Sequence, residues 1–219
     1  MAGIAMGLIR PAPDGYGQFA TPAECGWVES GVQKMRQQKA LKVAQAAGVL
    51  MRAEATTDMN YMRLIKLLYV ADRENLRQSG RTMTGDRVVA MKKGPVLSGM
   101  LDLIKGQAVG SEIWQQFFRT VHYRVEMREN PGVSELSRFE VELLELVSRQ
   151  YEDCDEWDLV EKTHEFEEWR KHFQEGTSVD IPLESLLMAV GRADDADRLI
   201  KENHDREAFE QFFCRGPVV

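Results

Sequence analysis

The sequence predicts a mainly helical fold carrying a small antiparallel, hairpin-like β-sheet. Long stretches of strong helix formers hold apolar residues three or four positions apart, only two short runs have β-strand character, and Gly or Pro punctuates the joins. The 219 residues, 43% apolar and 29% charged, have the composition of an ordinary soluble domain with one buried core. No apolar run approaches the roughly 20 residues that span a bilayer. "MAGIAMGLIRPAPDG" lacks a basic lead and is broken by Arg10 and Pro11, so no signal peptide or membrane insertion is expected and the location is read as cytoplasmic.

Residues 1–35 are read as a Gly/Ala/Pro-rich extension with scattered aromatics, Tyr16, Phe19 and Trp27, that could anchor it on its own domain or on a partner. From Val32 to about Ala55, helix formers place Leu41, Ala44, Ala47 and Met51 on one side. Asp58 is the expected cap of a second helix, "MNYMRLIKLLYVADRENLRQ", which Gly80 stops. "RVVAMKK" reads as a short strand, and Gly94 with Pro95 as the start of the helix "PVLSGMLDLIKG", closed by Gly106. "TVHYRVEM" alternates with a period of two and is the expected antiparallel partner of "RVVAMKK". Ser137 with Glu140 forms a capping-box signal for "FEVELLELVSRQYE". "EWDLVEKTHEFEEWRKHF" reads as one continuous helix ending near Gly176, followed by helices in "IPLESLLMAVG" and "ADRLIKENHDREAFEQFF". Residues 36–192 are the predicted domain and residues 193–219 an acidic helical extension.

One residue conflicts with this pattern. Advancing roughly 100° per residue from Tyr61, Ile65, Leu68 and Leu76 form an apolar arc, and Asp72 falls about 20° from the start, inside that arc. Arg63, Lys66, Arg73, Glu74 and Arg77 fall on the other side, as a solvent-facing set would. A carboxylate on a buried face is costly unless it is hydrogen-bonded or paired. The available partners are free N–H groups at the helix start after Gly94, the hydroxyl of Thr84 or Thr163, and the imidazole of His164; the helix start is the expected recipient.

The chemistry search excludes more than it finds. Cys25, Cys154 and Cys214 are odd in number and widely spaced, so neither a disulfide framework nor a metal motif is expected. His164, Glu168 and His172 repeat every four residues, but the His-Glu-x-x-His spacing of metalloproteases is absent. No nucleophile elbow occurs, and "KKGPVLSG" lacks the pattern of a phosphate loop, so no catalytic residue, cofactor or metal is assigned. The net charge of −7 is uneven: residues 1–110 hold 15 Lys+Arg against 9 Asp+Glu, residues 111–219 hold 13 against 26. The acidic half disfavours broad nucleic-acid binding and would suit a basic protein partner.

The motif stretch resembles a known family. Lys66-Leu67-Leu68-Tyr69-x-Ala71-Asp72, then Thr84-Gly85-Asp86 before a short strand, Gly94-Pro95-Val96, and Thr163-His164 followed by Trp169 are similar to the signature of the SocA-like antitoxins, the Panacea domain. The resemblance covers about residues 38–192 and departs from the pattern at Val88 and in lacking a Pro between His164 and Trp169. It implies a compact helical domain in a non-catalytic bacterial or phage protein that neutralises a cognate protein toxin, encoded by the adjacent gene, through direct binding. Relatives act on unrelated toxins, and at least one delivers its toxin to a protease. A protease adaptor, or an enzyme using Asp72, His164 or Asp86, is therefore the alternative. The motif residues Lys66, Tyr69, Asp72, Thr84, Gly85, Asp86, Gly94, Pro95, Thr163, His164 and Trp169 are read as structural. Arg81, Arg87, Lys92 and Lys93, with Tyr16, Phe19 and Trp27, are the candidate toxin contacts.

Overall fold

The structure, a computed structural model, describes residues 26–215. Tyr16, Phe19 and the side chain of Trp27 lie outside the described residues. In chain order the elements are α1 (Gly26–Ala53), β1 (Asp58–Asn60), α2 (Tyr61–Ser79), β2 (Val88–Met91), β3 (Gly94–Leu97), α3 (Ser98–Ile104), α4 (Ser111–Phe117), β4 (Phe118–Val121) and β5 (Arg124–Met127). They continue with α5 (Arg138–Gln150), α6 (Glu156–His164), α7 (Glu167–His172), β6 (Val179–Asp180), α8 (Leu183–Ala189) and α9 (Ala196–Arg215). No helix among the described residues is long and apolar enough to cross a membrane.

The fold is mainly helical, and α2 is its centre: α1, α3, α5, α6 and α8 pack on it, as do β1 and β3. Its middle turns, including Leu64, Leu67, Leu68 and Ala71, are fully buried. The Asn60 side chain accepts the Met62 N–H and caps this helix, while Gly80, at φ 74°, ends it. Asp58, the expected cap, lies instead in β1, where Arg124 pairs with it. Ser137 and Glu140 do form the reciprocal capping box at the start of α5. α1 begins at Gly26, ahead of the expected Val32, and α9 packs along it.

The sheets differ from the sequence reading. "RVVAMKK" and "TVHYRVEM" do not pair. β2 pairs with β3 and β6 in one three-stranded antiparallel sheet, and β4, β5 and β1 form another. "TVHYRVEM" is itself a hairpin, turned at His122 with φ 54°. Gly94 and Pro95 do not start a helix: they open β3, and α3 begins at Ser98. Pro95 is tolerated because β3 is an edge strand, where its missing N–H breaks no ladder.

The continuous helix expected across residues 156–173 is also broken. Phe166 leaves helical geometry at ψ 130°, placing its ring 6.1 Å from that of Tyr69 and under the Arg73 guanidinium. The break redirects α7 so that Glu168 points into the core with 1% exposure. Tertiary packing of Phe166 overrides a sequence that could continue as helix.

Gly94 is held by two constraints at once. Its φ is +89°, and a Cβ there would stand 2.6 Å from Thr163 Oγ1 and 2.8 Å from Lys66 Nζ. Gly94→Ala is expected to lower the unfolding free energy by roughly 1–3 kcal/mol, read as an earlier midpoint in urea denaturation.

Candidate functional site

Lys66, Tyr69, Asp72 and Arg73 lie on successive turns of α2, and each reaches a different part of the chain. Lys66 is 1% exposed, and its Nζ donates to the Pro95 carbonyl at 2.6 Å. Burial lowers the ammonium from its ordinary 10.5 to about 7. The sequence reading had placed Lys66 in solvent; β3 and α6 cover that side of α2 instead.

Tyr69 and Arg73 converge on Glu168. The Tyr69 hydroxyl and the Arg73 Nε each donate to Glu168 Oε1 at 2.7 Å, and Arg73 caps the Phe166 ring 4.3 Å from its centroid. Burial, then the Glu168 charge, pushes the Tyr69 phenol well above its ordinary value. Glu168 is thereby occupied, and among the described residues no cluster of His, Cys, Asp and Glu could hold a metal ion.

Asp72, 2% exposed, is the buried carboxylate anticipated from the helical wheel. Its Oδ1 accepts the backbone N–H groups of Met83 and Thr84, and its Oδ2 accepts the Thr84 hydroxyl at 2.9 Å. Thr84 is thus the partner. Burial pushes the carboxyl up to about 6 against these hydrogen bonds, which favour the anion. The helix start expected to receive Asp72 is occupied by Asp86: Gly99 N–H donates to its Oδ1 and Met100 N–H to its Oδ2, both at 2.9 Å. A Cβ on Gly99 would stand 2.8 Å from Asp86 Oδ1, so the missing side chain admits the cap. Thr84 therefore holds α2, Gly85 turns the chain at φ +61°, and Asp86 caps α3.

The last motif group closes over the β2–β3 hairpin. Thr163 is fully buried, and its hydroxyl donates to the Val160 carbonyl at 3.0 Å. Trp169 Nε1 donates to the Met91 carbonyl at 2.9 Å, and its ring stacks between those of His164 at 4.0 Å and Phe173 at 4.7 Å. Burial, then the nearby Lys66 charge, lowers the His164 pKa.

The described candidate contact residues fall into two places, Arg81 with Arg87 and Lys92 with Lys93. Arg81 and Arg87 line a hollow of about 840 Å³ walled by α1, α8 and α9, together with Thr84, Gly85 and Asp86. Arg87 donates to Asp180 at 3.2 Å and to the Ser98 hydroxyl at 3.0 Å. Lys92 and Lys93 form the exposed turn of the hairpin, and the Lys93 ammonium stands 4.8 Å above the ring of Trp157, which is 53% exposed. Sequence reasoning missed the ion pair of half-buried Arg73 with buried Glu168, and the exposed Trp157 under Lys93. The only signal for the pair was a Glu beside the Trp motif, and helical spacing alone assigned it to solvent.

A family model described as "Antitoxin SocA-like, Panacea domain" matches residues 64–170, which include every motif residue named above. Residues 64–170 thus match a Panacea domain. No curated protein and no solved structure matches it. The matched region of the Panacea domain runs from α2 to α7, so α1, α8 and α9 lie outside it.

Two of the buried charges, Asp72 and Lys66, give opposite pH dependences. Asp72, raised from 3.8 to about 6, binds its proton more tightly when folded, so its contribution to stability falls as pH rises from about 4 to 6. Lys66, lowered from 10.5 to about 7, binds its proton less tightly when folded, so its contribution rises as pH climbs from about 7 to 10. Lys66→Met is expected to flatten the second slope, at most about 1.4 kcal/mol per pH unit, and to leave the first; urea midpoints across pH measure both.

Proposed function

We propose that the protein is the antitoxin of a toxin–antitoxin pair and neutralises its toxin by direct binding, without catalysis. The observation that carries this reading is that most of the Panacea signature side chains spend their hydrogen bonds inside the domain, on backbone groups or on other buried side chains. Lys66, Tyr69, Asp72, Thr84, Asp86 and Trp169 are bonded within the domain, and their geometry supports a rigid binding body more than a reacting centre. An active site would be expected to gather such groups around an open cavity. Of the signature residues only Thr84, Gly85 and Asp86 line the 840 Å³ hollow, and there Thr84 is bonded to Asp72 and Asp86 to the start of α3; Lys66, Tyr69, Asp72, His164 and Trp169 do not line it.

The toxin contact we propose is the Lys92–Lys93 turn with Trp157, an exposed aromatic under the Lys93 cation, of the kind that anchors protein interfaces. The overall charge of −7 favours fast capture of a basic toxin, and the turn supplies a local contact for an acidic spot on it. Co-expression with the product of the adjacent gene is expected to relieve that product's toxicity and to yield a co-purifying complex. Lys92→Glu with Lys93→Glu is expected to weaken the complex at least about tenfold. A toxic neighbour untouched by this protein contradicts neutralisation; undiminished affinity in the double variant contradicts the surface.

A further inference from the structure

A second hollow, of about 720 Å³, opens between α3, α4 and the β4–β5 hairpin, and it shares no residue with the toxin contact proposed above. Lys105, Arg119 and Arg128 line it, with His122 and Gln115. Among the described residues no carboxylate lines this hollow, and the side chains of Lys105, Arg119 and Arg128 make neither an ion pair nor a hydrogen bond. Glu126 stands opposite Arg119 in the strand register without pairing with it. By contrast, Arg63, Arg73, Arg77, Arg87 and Arg124 all have acidic partners.

A separate observation comes from below this surface. Trp114 also lines the hollow, is 1% exposed, and stacks on Phe118 at 4.4 Å. Its indole Nε1 is buried with no acceptor among the described residues. An indole N–H can only donate, and a buried donor without an acceptor is costly. Trp169 shows the ordinary solution in the same molecule, donating to the Met91 carbonyl. The hollow thus combines three unmatched cations with an unmatched buried donor, a lining that supplies positive charge and hydrogen-bond donors together.

The geometry points to an anion site for a polyphosphate group, either free or on a nucleotide. Guanidinium forks match phosphate oxygens in a bidentate manner, and a lysine adds a point charge. A single carboxylate would leave two of the three cations unmatched, whereas a chain of phosphates meets all of them. The net charge of −7 makes a nucleic acid the poorer occupant. Trp114 lines the same hollow, so on this proposal the bound anion supplies the acceptor that its indole lacks.

The test uses the full-length protein labelled with ¹⁵N, in which each of the four tryptophans supplies one indole resonance. That of Trp114 is assigned through Trp114→Phe or, if this variant does not fold, by eliminating the other three. Inorganic triphosphate and ATP are each expected to shift it saturably. Adenosine, and sodium chloride at matched ionic strength, are expected to leave it in place. ATP binding tighter than triphosphate identifies a nucleotide as the source of the phosphates, and equal binding identifies free polyphosphate. Arg119→Gln with Arg128→Gln is expected to weaken either at least about tenfold with an unchanged melting temperature. The proposal is overturned by the absence of a saturable shift at millimolar ligand, by an equal response to chloride, by undiminished binding in the double variant, or by binding of an oligonucleotide alone.

Discussion

The carboxylate of Asp72, buried in the centre of the molecule, accepts the N–H groups of Met83 and Thr84 and the Thr84 hydroxyl. That single capture draws the chain after α2 back onto the helix that has just ended. With Thr84 held, Gly85 turns the backbone and Asp86 comes into reach of the Gly99 and Met100 N–H groups at the start of α3. The strands between them, β2 and β3, are thus pinned at both ends. Helix, turn, hairpin and next helix are ordered by two carboxylates, each meeting backbone donors that would otherwise be unsatisfied.

Other residues of α2 extend the same logic. Lys66 fixes β3 through the Pro95 carbonyl, and Tyr69 with Arg73 fixes α7 through Glu168. Trp169 closes the circuit by donating to Met91 at the end of β2. Buried polar groups of this kind contribute little net stability when matched, but removing one partner strands the other, at a cost of about 3–5 kcal/mol for a charge. The signature therefore specifies one arrangement of the chain. A surface held this firmly loses little conformational freedom on binding, which is consistent with a domain that presents a face to another protein.

Much of this was legible in the sequence. The helix α5 with its capping box at Ser137, the stop at Gly80 and the misplaced carboxylate at Asp72 all follow from local spacing and side-chain chemistry, whereas the break at Phe166 does not. The helix start expected to receive Asp72 receives Asp86 instead, because both sites offer free N–H groups and only the chain path decides which carboxylate reaches which. The β2–β3 hairpin was hidden because its Lys92–Lys93 turn lacks the Asn or Gly that marks such turns, while Gly94-Pro95 imitates a helix start. "TVHYRVEM" passed for one strand because His122 adopts a positive φ that its residue type does not announce. Lys66 was misassigned for a different reason. A helical wheel identifies the most apolar face, but the middle turns of α2, from Leu64 to Asp72, are buried on every side and leave Lys66 no solvent face.

The central claim is that the signature residues hold the fold and act on a partner only through the surface they support. It is tested most directly by Asp72→Ala, with melting temperature and toxin binding measured on the same preparation. The account predicts a melting temperature lower by roughly 5–10 °C, and binding that persists at temperatures where the variant remains folded. An unchanged melting temperature together with lost binding would contradict it and make Asp72 a functional group in its own right.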